Sequence, residues 1–241
     1  MEDHHKHAEI ASRTPEFMAP ERSKPFGWGA EHFVEWATVV QMTHATGLQH
    51  GSRVIDVGCG VGWTTLFLAE SGFVPLGVDL VPANIEVARD RAARWDAPAR
   101  FAVGDMDALA LPGEEPFDAA LIFDALHHSG RQRDVLAGIA GLLRPGAWLY
   151  LAEPTWLHRL SPNARRTQRE LGWRERGLTM RSLRRDLRAT GFTDVRRFFQ
   201  GTRPYEGAGG FAGELVRLVG ARALAAPQHH LWVAARYSTE A

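Results

Sequence analysis

The chain has little of what staples or anchors a protein. One cysteine in 241 residues, Cys59, leaves no partner for an intrachain disulfide and no second thiolate for a cysteine-only zinc site. It lies in a glycine-rich loop, where a small side chain serves packing better than chemistry. No apolar run approaches the roughly 18 residues of a membrane span, so no membrane partner is expected. Charge of one sign is also missing: 28 basic side chains balance 28 acidic ones, without the basic excess of a nucleic-acid binder. The N-terminus is acidic and histidine-rich rather than signal-like, and a cytoplasmic location is the default expectation. Repeats and low-complexity linkers are absent, and the length suits one α/β domain with a small cap.

What is present is organised around Val54-Ile55-Asp56-Val57-Gly58-Cys59-Gly60-Val61-Gly62-Trp63. A β-branched apolar run ends in glycines at every second position, and an apolar helical pattern follows. This reads as a buried strand, a tight loop and a helix start. Glycine permits positive φ and close approach of a ligand to the backbone, and the helix N-terminus suits an anion. A dinucleotide fingerprint needs its third glycine one residue later, where Trp63 stands, so a nicotinamide site is disfavoured. Asp56, two residues before the first glycine, could hold an ammonium. The ligand implied carries both an amine and a carboxylate, as an amino-acid moiety does.

Here the sequence resembles the class I S-adenosylmethionine (SAM)-dependent methyltransferases of small-molecule metabolism, whose first motif reads acid-x-Gly-x-Gly-x-Gly. Asp56, Gly58, Gly60 and Gly62 match it, and the resemblance covers about residues 51–146. It implies an α/β, Rossmann-like sheet of seven strands in the order 3-2-1-4-5-7-6, the last antiparallel, with helices on both faces. It also implies SAM as cofactor and S-adenosylhomocysteine (SAH) as product.

The rest of the chain follows this scheme. Residues 1–29 read as a tail and lid segment, with His4, His5 and His7 in a frayed end and Trp28 among glycines as a candidate substrate contact. Residues 30–241 read as one domain. Its first helix starts at Ala30, places Phe33, Trp36, Ala37 and Val40 on one face, and ends at Gly47. A helix over Trp63–Ser71 precedes a strand over Phe73–Leu80. That strand ends at Asp79, where a nucleotide-binding sheet presents a carboxylate to ribose hydroxyls; the alternative is a charge at the next helix N-terminus. A helix over Ile85–Trp95 and a short strand, Ala99–Val103, lead to Asp105 and Met106. The resemblance assigns these two to the adenine amine and ring edge, with Asp107 a candidate turn cap. Trp63, Leu80 and Phe123 complete the expected cofactor contacts.

The strand Phe117–Phe123 delivers Asp124-Ala125-Leu126-His127-His128 to the carboxyl edge of the sheet, where ligands of open α/β folds bind. The family carries similar text here in its small-molecule members, and this segment lacks the Asn-Pro-Pro-Tyr type of motif that resembling enzymes use on adenine amines or glutamine, a departure that disfavours a DNA amino-methyltransferase. A helix over Arg133–Leu143, a Leu143-Arg144-Pro145-Gly146 turn and a strand over Ala147–Ala152 bring Glu153 to the same edge. A basic helix over Thr179–Thr190 and strands over Phe192–Phe199 and His229–Tyr237 finish the sheet. Insertions near 155–178 and 200–228 are expected to build the cap. Arginines between Arg159 and Arg203 form either a solvated face or a face for an anionic substrate.

Methyl transfer to a hydroxyl needs a base within hydrogen-bond reach. His128 is preferred over His127, Glu153 is the group to orient an imidazole, and Asp124 and His128 are candidate acceptor contacts. Adjacent side chains diverge, so only one histidine is expected to serve. No metal is expected. The reading is O-methylation of a small molecule; N- or C-methylation, an rRNA or tRNA substrate, and SAM binding without turnover are the alternatives. Acceptor and oligomeric state are not legible.

Overall fold

The computed structural model describes Lys6, Ile10 and residues 21–27, 31–172, 177–198 and 230–239. Trp28, the N-terminal histidines and the expected insertion at 200–228 lie outside the described residues. The elements run α1 (Glu31–Thr46), β1 (Arg53–Val57), α2 (Trp63–Glu70), β2 (Val74–Asp79), α3 (Pro82–Trp95) and β3 (Arg100–Val103). There follow β4 (Phe117–Phe123), α4 (Gln132–Ala140), β5 (Leu143–Pro154), α5 (Pro162–Glu170), α6 (Met180–Ala189), β6 (Phe192–Phe198) and β7 (His230–Tyr237). Three short 3-10 turns, Met106–Ala108, Leu126–His128 and Trp156–Leu160, follow β3, β4 and β5.

One seven-stranded sheet has the order β3-β2-β1-β4-β5-β7-β6. β7 runs antiparallel to both of its neighbours and the other pairs are parallel. This is the order and direction that the resemblance implied. Strand alternation divides the core in two. Ile55, Val57, Ala120, Ile122, Leu149 and Leu151 face α4 and α6, while Val54, Ala119, Leu121, Trp148 and Tyr150 face α1 and α2. Nearly continuous burial of β1 and β4 is what a parallel sheet covered on both sides requires. Among the described residues no helix is long and apolar enough to cross a membrane.

Two expectations fail in instructive ways. The face of α1 is rotated: Phe33, Ala37 and Val40 are exposed, while Thr38, Val39, Met42 and Thr43 are buried. The two threonines satisfy their hydroxyls on helix carbonyls, Thr38 on Val34 and Thr43 on Val40, so their burial leaves no oxygen stranded. Thr46 then meets the Tyr150 hydroxyl at 2.6 Å, fixing the helix end to β5. The Leu143–Gly146 turn is also absorbed into β5. Leu143 pairs with Phe117, and a register shift before Ala119 accommodates the intervening residues. That is why α4 stops at Ala140 rather than Leu143.

The rotated helix face makes a prediction. Met42→Ala is expected to cost about 2–5 kcal/mol of unfolding free energy, whereas Val40→Ala stays within about 0.5 kcal/mol; urea titration distinguishes the two.

Candidate functional site

β1, β2, β4 and β5 end at one edge of the sheet, and antiparallel β7 begins there. The three glycines after β1 have φ of +76°, +53° and +78°, a region costly for side-chain-bearing residues, but their surroundings differ. A Cβ on Gly58 would lie 2.4 Å from Ala125 Cβ, and one on Gly62 would strike Ala88 and the Phe101 ring. A Cβ on Gly60 would meet nothing within 4 Å. Gly58 and Gly62 therefore allow the loop to pack against the β4 loop and α3, and Gly60 is the point where the backbone is open.

Alternation puts Asp56 on the α2 side of the sheet with Val54. It is 1% exposed, and its Oδ2 accepts from the Thr64 and Thr65 hydroxyls at 2.6 Å each. Asp56 thereby ties β1 to the first turn of α2. Burial pushes its carboxyl up to about 6, helped by the charge of Asp79 and opposed by the two hydroxyls. Cys59 is buried, and burial pushes its thiol well up, as a packing role requires.

Asp79 holds the loops together. Its Oδ2 accepts from Gly60 N–H at 2.9 Å, and its Oδ1 accepts from Val81 N–H and the Asn84 amide, both at 2.9 Å. It does serve the start of α3, and it clamps the glycine loop as well; Leu80 beside it is half-buried. Asp105, not Asp107, caps the turn after β3, accepting from Asp107 N–H at 2.9 Å. Lys6 Nζ lies 2.5 Å from Asp105 Oδ2 and 2.8 Å from Asp107 Oδ2, so the N-terminal segment reaches this corner. Met106 is half-buried against the core on the α4 side.

Trp63 and Phe123, expected as cofactor contacts, are largely buried in an aromatic cluster. Their rings meet edge-on at 5.1 Å; Trp63 also packs on His32 and Trp36, and Phe123 on Trp232 and His230.

At the end of β5 Glu153 is fully buried. Its Oε1 accepts from the Ala125 and Leu126 amides at 2.9 and 2.8 Å, and its Oε2 from His127 N–H at 3.2 Å and His127 Nδ1 at 2.9 Å. A carboxylate only accepts, so the hydrogen of His127 sits on Nδ1. The 3-10 turn sets the His127 and His128 rings 4.0 Å apart, so the two side chains do not diverge as expected. His158 reaches His127 from the turn after β5, with ring centres 5.6 Å apart.

Asp124 adopts φ +53°. Its Oδ1 lies 3.9 Å from His127 Nδ1 and 3.7 Å from His230 Nε2. Desolvation opposes its charge only weakly, because the side chain is about half exposed, and the imidazoles of His230, His127 and His128 hold the carboxyl well below the usual range. His230 is raised in turn: burial opposes, and Asp124 prevails. His230 escaped the sequence reading, although the first residue of an antiparallel last strand must fall at the carboxyl edge. No group of three or more metal-ligating side chains occurs among the described residues. A cavity of about 660 Å³ opens elsewhere, beside β3 and lined by Arg89, Ala92, Phe101, Leu111 and Glu114, so size alone does not mark the site.

Residues 54–146 match the family model described as a methyltransferase domain. Over 116 residues the chain is 31% identical to the erythromycin 3''-O-methyltransferase of Saccharopolyspora erythraea, covering 47% of this chain and 38% of that protein. Over 109 residues it is 33% identical to an S-adenosyl-L-methionine-dependent Diels–Alderase of Talaromyces variabilis, covering 44% and 37%. The chain thus spans about two fifths of the length of these curated relatives. An S-adenosylmethionine-dependent methyltransferase structure from Mesorhizobium loti superposes with a TM-score of 0.64 at 23% identity, over 86% of this chain and 100% of that one. Residues 54–146 thus resemble a methyltransferase domain, and they lie on a seven-stranded sheet whose fold the superposition shares.

Glu153 generates a test. Glu153→Gln replaces one acceptor oxygen with an NH2 facing existing donors, and is expected to cost about 3 kcal/mol of stability in denaturant titration.

Proposed function

We propose that the protein transfers the methyl group of SAM to an oxygen of a small-molecule acceptor, with His128 as general base. The observation that carries this reading is the contact between Gly58 and Ala125, a Cβ on Gly58 lying 2.4 Å from Ala125 Cβ. It joins the glycine loop directly to the segment bearing His127 and His128, so donor and acceptor sides form one site.

The chain's groups fit the cofactor. The backbone is open above Gly60. A carboxylate offers about four acceptor positions, and Asp79 has three donors on it, leaving room for a sugar hydroxyl. The second oxygen of Asp56 is buried without a partner among the described residues, suited to an ammonium. Asp105, at the end of β3, is assigned the adenine amine, where Lys6 now lies. When bound, the cofactor supplies an electrophilic methyl on a sulfonium.

The chain's own part is alignment and proton removal. Holding two reactants in line is worth about 7–11 kcal/mol, and a positioned base contributes a further 10²–10⁴-fold. His128, half-buried at the site, takes the hydroxyl proton. His127 and Glu153 act through position, fixing the turn that carries it. Asp124 and His230 flank the acceptor. The relative named as an O-methyltransferase supports an oxygen acceptor. The arginines of the 159–203 stretch are partly neutralised, Arg166 by Glu170, Arg185 by Asp186 and Arg196 by Asp194, which argues against an RNA face.

Calorimetry with SAH tests the cofactor half: Asp79→Ala is expected to weaken binding roughly tenfold, and an unchanged affinity would remove the ribose assignment. For the chemistry, His128→Ala is expected to lower kcat for an acceptor found by screening by about 10²–10⁴-fold with SAH affinity retained. Undiminished turnover would rule it out as the base.

A further inference from the structure

Asp56 has more in its surroundings than a structural tie uses. Thr64 and Thr65 donate to one oxygen at 2.6 Å, and the other oxygen, Oδ1, is buried with no donor among the described residues. Across the sheet Asp56 pairs with Gly77 of β2 and Leu121 of β4, neither of which titrates. The groups that act on its ionisation are the two hydroxyls from α2 and the carboxylate of Asp79 from the end of β2; the Cys59 thiol in the loop stays neutral. Among the described residues no cation acts on it. An ionised Asp56 would be a buried negative charge half-supplied with donors and facing a second negative charge.

We propose that Asp56 couples cofactor binding to proton release. A share of ligand-free molecules carries a proton on this carboxyl in mildly acid solution, and arrival of the cofactor's ammonium ionises it. The O–H bond of the acid breaks, the proton passes to buffer, and the carboxylate left behind pairs with the incoming positive charge. The proposal rests on the cofactor reading above. It concerns what the binding event does to this chain, not which ligand is bound.

Burial holds the free carboxyl at about 6. A group that loses its proton on binding makes binding tighter as pH rises through its free-state value. Affinity therefore climbs from about pH 5.5 to 7 and levels off, until the ligand's own amino group begins to titrate near about 8.

The experiment is calorimetric titration of the full chain with SAH, at pH 5.5 and 7.5, in buffers of different ionisation enthalpy. The dependence of heat on buffer counts the protons exchanged. The expected result is release of roughly 0.7 proton per SAH at pH 5.5, near zero at pH 7.5, and affinity about fourfold higher at the upper pH. In Asp56→Asn both the release and the pH dependence disappear while SAH still binds. Thr65→Val keeps the acid but removes one donor, and is expected to move the release to higher pH. Binding by the unaltered protein without proton exchange would overturn the proposal and leave the cofactor reading standing. Undiminished release in Asp56→Asn would do the same. Absence of SAH binding at any pH would defeat the cofactor reading itself, and the proposal with it.

Discussion

A carboxylate removed from water persists only where donors replace the hydration it has lost. Glu153 meets four: three successive backbone amides of the loop after β4 and the imidazole of the third residue. The loop that carries His127 and His128 depends on this arrangement. It converts the end of β5 into a hub that dictates the path of the neighbouring loop, curls Leu126–His128 into a 3-10 turn and selects the tautomer of His127. The left-handed backbone of Asp124 comes just before this turn, where an aspartate is tolerated better than most residues. Packing of Ala125 against Gly58 then passes the same constraint to the glycine loop.

Three acids at this edge show how one functional group takes different roles from its partners. Glu153 is saturated with donors and acts as a fixed frame. Asp79 has three donors, which pin the glycine loop and α3 to the end of β2. Among the described residues Asp56 has both donors on a single oxygen and nothing on the other. All three side chains lie at the ends of parallel strands, yet only Asp56 combines deep burial with an incomplete set of partners. Sequence position alone does not separate them; the count of donors around each does.

Much of the fold is written in local patterns. Alternating apolar residues and the glycine repeat are enough to place β1, the loop and α2, because a parallel strand buried on both faces and a turn needing positive φ leave few other residues possible. The order of the strands came from resemblance, since pairing between distant segments leaves no local trace. The face of α1 was misread because hydropathy counts threonine as polar, whereas a helix carbonyl can satisfy its hydroxyl in the core. Trp63 and Phe123 were placed at the ligand, yet their rings pack against each other and their aromatic neighbours. His230 stands at the site only because β7 runs backwards, a fact of topology. The contact between His127 and His128 depends on a 3-10 turn whose driving force, Glu153, lies 26 residues away.

The position of β7 has a consequence for how the molecule is made. It follows β6 in the chain but lies between β5 and β6 in the sheet. As a nascent chain leaves the ribosome, β1 to β5 can assemble while β6, whose sheet partner is β7, has nowhere to dock. The half of the sheet carrying the glycine loop can therefore form first, and the half carrying His230 is completed only after β7 slots in. Maturation of the two sides is staggered, and the open flank of β5 is a strand edge that must be shielded from other chains in the interval.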